Sequence, residues 1–114
     1  MANDHEFGKT ADAVMDRVLR QLETFDPDEL DCDLAMGVLS MTFADETKCI
    51  LNRQTAAHQI WLAQGASAWH FAIDAATGRW LDTKGRGELT QVLSAVLSAK
   101  LGKKVELSDR DLAS

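Results

Sequence analysis

Residues 50–62 read ILNRQTAAHQIWL, and they contain the pattern around which the rest of the chain is organised. Successive side chains of a β-strand point to opposite faces, so the aliphatic Ile60 and Leu62 share one face while Gln59 and Trp61 share the other. If the aliphatic pair faces the interior, Trp61 is turned toward solvent. A solvent-facing tryptophan offers a large apolar area and a hydrogen-bond donor, which is typical of an interface anchor. A partly covered core tryptophan is the alternative that the pattern leaves open.

Short strand-like segments flank this stretch on both sides. Upstream, Val38 to Phe43 alternates in side-chain direction, and a turn at 44–46 leads into a strand from Lys48 to Asn52. Downstream, strands are predicted at Trp69 to Ile73 and at Trp80 to Asp82, separated by a glycine-containing loop. Because connections this short join antiparallel neighbours, the middle of the chain predicts an antiparallel sheet.

One helix is predicted before the sheet and one after it. From about Asp4 to Phe25 apolar residues recur at three- and four-residue spacing, and Pro27 prevents continuation. A second helix runs from about Glu88 to Leu101 and stops at Gly102. Each helix has one apolar stripe to bury, so the expected fold is α+β: a two-layer αβ sandwich with both helices packed on one face of an antiparallel sheet.

The 114 residues are near the usual size of one domain, so a single domain over residues 1–114 is expected. The tail from Lys103 to Ser114 is expected to lie along its surface, with Val105, Leu107 and Leu112 covering apolar surface between the helices. No apolar run reaches the length of a membrane span, and the N-terminus lacks signal or transit character, so we expect a soluble protein.

Charge is distributed unevenly along the chain. Residues 1–46 hold twelve acids and three bases, whereas residues 47–114 hold six acids and nine bases. An acidic N-terminal half repels nucleic acid and anionic membranes and attracts cations or a basic protein surface. Cys32 and Cys49 form no CxxC pair and are interpreted as buried small hydrophobes in a reducing compartment.

No motif of enzyme chemistry is present: the sequence lacks GxGxxG, a P-loop, HExxH and GxSxG, and its three histidines show no metal-ligand spacing. The prediction is a binding protein rather than an enzyme.

Ligand-type side chains form an exposed line on the first helix. At 100° per residue, His5, Asp12, Asp16 and Glu23 fall within about 40° of one another, away from the apolar stripe. A solvated polar face is the alternative, since Asp16 and Arg20 have the spacing of an ordinary i,i+4 ion pair. More carboxylates crowd the helix exit and the next strand: Asp26, Asp28, Glu29, Asp31 and Asp33. Mutually repelling carboxylates are relieved by a cation or a basic partner, and hard oxygen ligands favour iron, manganese, calcium or magnesium.

Two strings resemble a known family: Ile50-Leu51-Asn52-Arg53-Gln54-Thr55 and Gln59-Ile60-Trp61-Leu62. They are similar to the signature of the frataxin (CyaY) family, an INKQ-type strand end followed by a QIWL-type strand. The resemblance covers nearly the whole chain in order, and the further matching segments are Glu6-Phe7, Ala11-Asp12, Asp31-Cys32-Asp33, Gly37-Val38-Leu39, Trp69-His70-Phe71 and Gly78-Arg79-Trp80.

This resemblance implies the same sandwich fold, weak binding of ferrous or ferric iron at an acidic ridge, and docking on the cysteine desulfurase and scaffold complex that builds iron-sulfur clusters. With His5 added from the helix line, the implied ridge residues are Asp4, His5, Glu6, Asp12, Asp16, Glu23, Asp26, Asp28, Glu29, Asp31 and Asp33. The implied partner-binding residues are Asn52, Gln54, Gln59 and Trp61, and we add Arg53 and His70 to this predicted set. His70 stands near a position where mitochondrial relatives carry an arginine.

The expected state is a monomer in a bacterial cytoplasm, with a mitochondrial matrix as the alternative. Two other functions stay open. One is a ferroxidase and iron-storage protein that oligomerises with iron, and the other is an acidic interaction module with no physiological metal.

Overall fold

The computed structural model describes residues 3–108. Helix α1 spans Asp4–Leu22 and α2 spans Leu89–Leu101. Between them lie β1 (Leu30–Ala35), β2 (Val38–Phe43), β3 (Lys48–Gln54), a 3-10 turn (Thr55–Ala57), β4 (Gln59–Gln64), β5 (Ser67–Ile73) and β6 (Trp80–Asp82).

The six strands form one antiparallel sheet in the order β1-β2-β3-β4-β5-β6, so every strand lies beside its neighbour in sequence. Short connections produce this meander, as the spacing of the segments predicts. One run of paired residues crosses four strands: Val38 pairs with Asn52, Asn52 with Trp61, and Trp61 with His70.

The two faces of the sheet differ in burial. In β2, β3 and β4 the buried residues alternate with less buried ones. The buried residues pack with the apolar stripes of α1 and α2 in one core. The buried apolar residues of the sheet are Leu30, Leu39, Met41, Phe43, Cys49, Leu51, Ile60, Leu62, Phe71 and Trp80. The opposite face is not covered by either helix, and the predicted α+β sandwich with both helices on one face is confirmed.

The predicted ends of several elements were wrong by a few residues. Helix α1 ends at Leu22, because a turn closed by the Phe25 N–H and the Leu22 carbonyl oxygen at 3.1 Å follows it, and Phe25 packs on the core from that turn. Helix α2 begins at Leu89, since Glu88 is its N-cap and accepts hydrogen bonds from the backbone N–H groups of residues 90 and 91. Strands β3, β4 and β5 are longer than predicted.

The segment after α2 crosses the gap between the helices. Val105 is buried and Leu107 packs on the core, as predicted. The Leu107 N–H donates to Ser94 Oγ at 2.9 Å, and the Ser108 N–H donates to Gln21 Oε1 at 2.8 Å, which ties the segment to both helices. Leu112 lies outside the described residues, as does part of the predicted single domain. Neither helix in the described range combines the length and apolar character needed to cross a membrane.

Candidate functional site

The uncovered sheet face carries a row of polar and aromatic side chains. Trp61 faces away from the buried Ile60 and Leu62, is half-buried, and stacks on His70 with ring centroids 4.1 Å apart and planes 10° apart. Its indole Nε1 donates to Gln59 Oε1 at 2.7 Å. Asn52 lies beside Trp61 in the register, so the structure brings these predicted partner-binding residues together.

Two predicted ridge residues also lie on this uncovered face. In β1 the side chains of Cys32 and Leu34 pack on the core, whereas Asp31 and Asp33 are exposed. Asp33 pairs with Ser40 in the register, and Ser40 belongs to the uncovered face. The acids of the edge strand therefore lie on the uncovered face with the Trp61 row, and Asp31 also borders Glu23 at the end of α1.

Arg53, in contrast, points to the helix side of the sheet. It follows the buried Leu51 by two positions, and its Nη1 donates to Asp12 Oδ1 of α1 at 2.5 Å. The guanidinium also lies against Gly37, within 3.2 Å of where a β-carbon on that glycine would be. Arg53 was predicted to bind the partner together with Asn52 and Gln54, but it lies on the other face of the sheet.

Several predicted iron ligands already have partners within the chain. Asp16 Oδ2 accepts from Arg20 Nη2 at 2.7 Å, and Glu29 Oε1 accepts from Lys103 Nζ at 2.7 Å. Together with the Asp12–Arg53 pair, these contacts neutralise three of the predicted ligands. Within residues 3–108 no group of three or more His, Cys, Asp and Glu side chains is arranged to hold a metal ion. The predicted set of iron ligands stays a prediction. In the described residues its members are dispersed carboxylates rather than one multidentate centre.

His58 lies between β3 and β4 and contacts the start of α1. Its Nε2 lies 2.6 Å from Asp4 Oδ1, and its ring stacks on Phe7 with centroids 4.8 Å apart. His5 and the remaining ridge carboxylates are exposed and form no ion pair in the described range; the carboxylates are Glu6, Glu23, Asp26, Asp28, Asp31 and Asp33.

The two cysteines behave as the sequence predicted. Cys49 is fully buried, and Cys32 is partly buried against the core. Burial raises the pKa of the Cys49 thiol to about 12. Burial, reinforced by the negative charges of Asp31 and Glu23, raises the pKa of Cys32 to about 11. Neither thiol is ionised near neutral pH, so neither is a reactive nucleophile.

An ion pair that was not predicted from the sequence joins the buried Asp82 to the exposed Arg86. Asp82 is 5% exposed and accepts from Arg86 Nε at 2.8 Å and from Arg86 Nη2 at 3.1 Å. Asp82 Oδ1 also accepts from the His70 N–H at 3.2 Å, which ties the pair to the strand that carries His70. Hydrogen bonds from Arg86 are the main reason that the pKa of Asp82 falls to about 2. The sequence feature that could have predicted this ion pair is the i,i+4 spacing of Asp82 and Arg86 in a glycine-containing loop.

The described residues thus form a two-layer sandwich with one uncovered sheet face, a half-buried tryptophan at its centre, and acids along its edge strand and outer helix. These features define a small acidic α+β protein that presents an uncovered sheet surface.

Residues 1–103 match the family model described as a frataxin-like domain. The chain is 40% identical over 105 residues to a protein of Thioalkalivibrio sulfidiphilus named iron-sulfur cluster assembly protein CyaY, covering 91% of this chain and 98% of that protein. The chain belongs to the frataxin-like family.

Solved structures of this family have the same fold. The frataxin of Psychromonas ingrahamii superposes with a TM-score of 0.84 at 29% identity, covering 94% of this chain and 99% of that one. Trimeric frataxin from Saccharomyces cerevisiae, solved in complex with ferrous iron, superposes with a TM-score of 0.70 at 27% identity, covering 82% of this chain and 87% of that one.

Proposed function

We propose that this protein serves iron-sulfur cluster assembly: it binds iron weakly at surface carboxylates and docks on the cysteine desulfurase and scaffold complex, where it regulates assembly or supplies iron. The observation that carries the proposal is the uncovered sheet face, where Asn52, Trp61 and His70 form one row flanked by Asp31 and Asp33. The name of the Thioalkalivibrio relative supports the pathway.

The docking surface, by which we mean the row Asn52, Trp61 and His70, combines two kinds of interaction. The stacked Trp61 and His70 rings supply apolar area that is held in place before binding, which lowers the entropic cost of association. The adjacent acids attract a basic partner surface and accelerate its encounter. This chemistry fits a partner with an apolar patch bordered by arginine and lysine.

Docking is tested with Trp61→Ala. Removing a central aromatic anchor is expected to weaken binding to the purified desulfurase and scaffold complex by roughly tenfold or more. Ile73→Ala is the control, because Ile73 is an exposed apolar residue of β5 outside the docking surface, and it should leave affinity unchanged. Equal affinity of Trp61→Ala and the parent protein in a calorimetric titration would reject this function.

Iron binding is tested with the triple variant Asp12→Asn, Asp16→Asn and Asp31→Asn. Anaerobic titration with ferrous iron, followed by paramagnetic broadening of amide NMR signals, should show weaker binding at α1 and β1. A control with the same change in net charge neutralises acids outside the ridge: Asp45→Asn, Glu46→Gln and Glu106→Gln. If both triple variants lose binding equally, the effect is overall charge and the ridge is not a site. Titration of the parent protein without any broadening would favour the metal-free interaction module.

A second candidate function is iron oxidation and storage by an iron-dependent oligomer. The trimeric yeast frataxin complexed with ferrous iron favours it, because that structure shares the fold of this chain. Size-exclusion chromatography separates the candidates: an elution volume unchanged by excess ferrous iron under air supports the docking protein, and conversion to a larger species supports storage. We further propose that the protein works in a bacterial cytoplasm, which the bacterial origin of the relatives supports.

A further inference from the structure

The loop between β1 and β2 places an apolar side chain at a conformationally unfavourable position. Ala35 and Val38 are the last pair of the hairpin, so the loop consists of Met36 and Gly37 alone. Both have positive φ, 53° for Met36 and 78° for Gly37, as a type I′ turn requires. Met36 is 96% exposed.

Nothing in the folding of the hairpin accounts for this methionine. Asparagine or glycine is preferred at the first position of such a turn, because an L-residue with a β-carbon strains the left-handed region. A single exposed apolar residue is ordinary on a protein surface, but one that also strains the backbone lowers stability in two ways. Such outliers are typical of functional positions.

The other described non-glycine residues with positive φ have polar side chains. His58 contacts both Asp4 and Phe7 through its side chain. Glu46 carries a charge that water solvates, in the loop at the opposite end of the β2–β3 hairpin. Met36 differs from both, since its side chain is apolar and almost wholly in solvent.

The tip of the hairpin is held firmly. The Arg53 N–H donates to the Gly37 carbonyl oxygen at 2.8 Å, and the Arg53 guanidinium packs on Gly37 while it binds Asp12 of α1. The turn is thus connected to β3 and to the helix layer. A residue on a turn that is already fixed binds without further loss of backbone conformational freedom.

The tip adjoins the docking surface. Val38, the residue that follows the tip, pairs with Asn52, and Asn52 pairs with Trp61. Two strand spacings of about 4.8 Å separate Val38 from Trp61, so Met36 stands roughly 10–15 Å from the Trp61 ring. A partner that covers Trp61 with an interface of ordinary size also reaches Met36.

We propose that Met36 is a second apolar anchor of the docking surface and inserts into an apolar pocket of the partner protein bound through Trp61. This inference rests on the proposed function. The acids Asp31 and Asp33 lie on β1, the strand that leads into the tip, so the rim of that pocket carries basic groups. Methionine suits such a pocket because its unbranched thioether adapts to irregular apolar surfaces.

The test compares Met36→Asn with Glu46→Asn, two substitutions that place a residue tolerant of positive φ on an exposed turn. Both variants should melt about 3–6 °C above the parent protein, because each relieves backbone strain. Only Met36→Asn should weaken binding to the desulfurase and scaffold complex, by about tenfold. Met36→Leu, which keeps the apolar side chain, should bind within about twofold of the parent.

Three outcomes decide whether Met36 is an anchor for the partner protein. A more stable Met36→Asn with weaker docking supports the anchor. Docking by Met36→Asn within twofold of the parent, while Trp61→Ala still loses affinity, refutes the anchor and leaves the proposed function standing. Should Met36→Asn instead abolish a concentration-dependent self-association seen by sedimentation velocity while docking is unchanged, the occupant is a second copy of this chain and the proposal is overturned.

Discussion

Replacing Asp82 by asparagine is expected to destabilise the fold while leaving its shape intact. The Asp82 carboxylate accepts hydrogen bonds from five N–H groups. Three reach Oδ2, from the Lys84 N–H, the Arg86 N–H and Arg86 Nε, and two reach Oδ1, from the His70 N–H and Arg86 Nη2. An asparagine has one acceptor oxygen, so in either orientation its amide NH₂ faces at least two donors.

The size of the effect follows from this geometry. A hydrogen bond to a charged group contributes about 1.5–3 kcal/mol net, and a buried donor left without an acceptor costs about 1–3 kcal/mol. Because water can reach part of the loop and the amide keeps some of the bonds, we expect Asp82→Asn to lower the free energy of unfolding by about 2–3 kcal/mol. The urea midpoint should then fall by about 1–2 M.

The difference between parent and variant should depend on pH. The pKa of Asp82 is lowered from its ordinary value near 3.8 to about 2 in the folded protein, chiefly by hydrogen bonds from Arg86. A carboxyl with a depressed folded pKa stabilises the fold above its unfolded pKa and loses that contribution as pH falls through the folded value. The two urea curves should be well separated at pH 7 and should approach each other between about pH 4 and pH 2.

Asp45→Asn is the matched control for this experiment. The Asp45 carboxylate pairs with Lys100 Nζ at 2.7 Å, and hydrogen bonds from Lys100 and Thr47 hold its pKa well below the usual range, but it lies on the surface. Exposed ion pairs contribute little to stability, so its midpoint should match that of the parent. If Asp82→Asn and Asp45→Asn shift the midpoint equally, or if the Asp82→Asn difference is constant with pH, the reasoning from burial is wrong.

Two further predictions concern the core. Phe71→Ala should lower the free energy of unfolding by about 3–5 kcal/mol, because Phe71 is fully buried in the sheet. Denaturant unfolding measures this change. A loss below about 1 kcal/mol would mean that neighbouring core residues move to fill the cavity. At pH 7.5, iodoacetamide should label Cys49 far more slowly in the native protein than in the urea-unfolded protein, because the native thiol is buried and its pKa is raised to about 12. Mass spectrometry measures both labelling rates. Equal rates would show that the native sheet opens readily.

Local patterns predicted most of the fold. Alternation in Val38 to Phe43 and in the strand after Gln59 identified the faces of the strands, and short loops identified their antiparallel neighbours. The same alternation, extended from Leu51 to Arg53 and from Cys32 to Asp33, places Arg53 with the helices and Asp33 on the uncovered face. Those positions were predictable in principle, but the family resemblance grouped the residues by motif rather than by face.

The contacts of the acids were not predictable. Asp12 meets Arg53 across 41 positions, Asp4 meets His58 across 54, and Glu29 meets Lys103 across 74. These separations are bridged only by the way α1 and the last segment lie over the sheet, which no local pattern encodes. An acid-rich sequence therefore indicates where cations or basic partners are attracted, but not which carboxylates are already neutralised.

Acids that already have an ion-pair partner and acids that have none in the described range are expected to contribute differently to cation binding. Asp16 already has Arg20 as a partner, whereas Asp31 forms no ion pair in the described range and lines a shallow pocket with Glu23 beside Cys32. A cation that binds Asp16 competes with an existing pair, but one that binds between Asp31 and Glu23 relieves repulsion between like charges.

Asp31→Asn should therefore reduce ferrous iron affinity, and docking on a basic partner, more than Asp16→Asn does, although both change the net charge equally. Calorimetric titration of the two single variants measures the difference, and Asp45→Asn supplies the baseline for a lost charge elsewhere. If Asp16→Asn causes the larger loss, iron binds along α1 in spite of the ion pairs. The uncovered face would then act through its apolar residues alone.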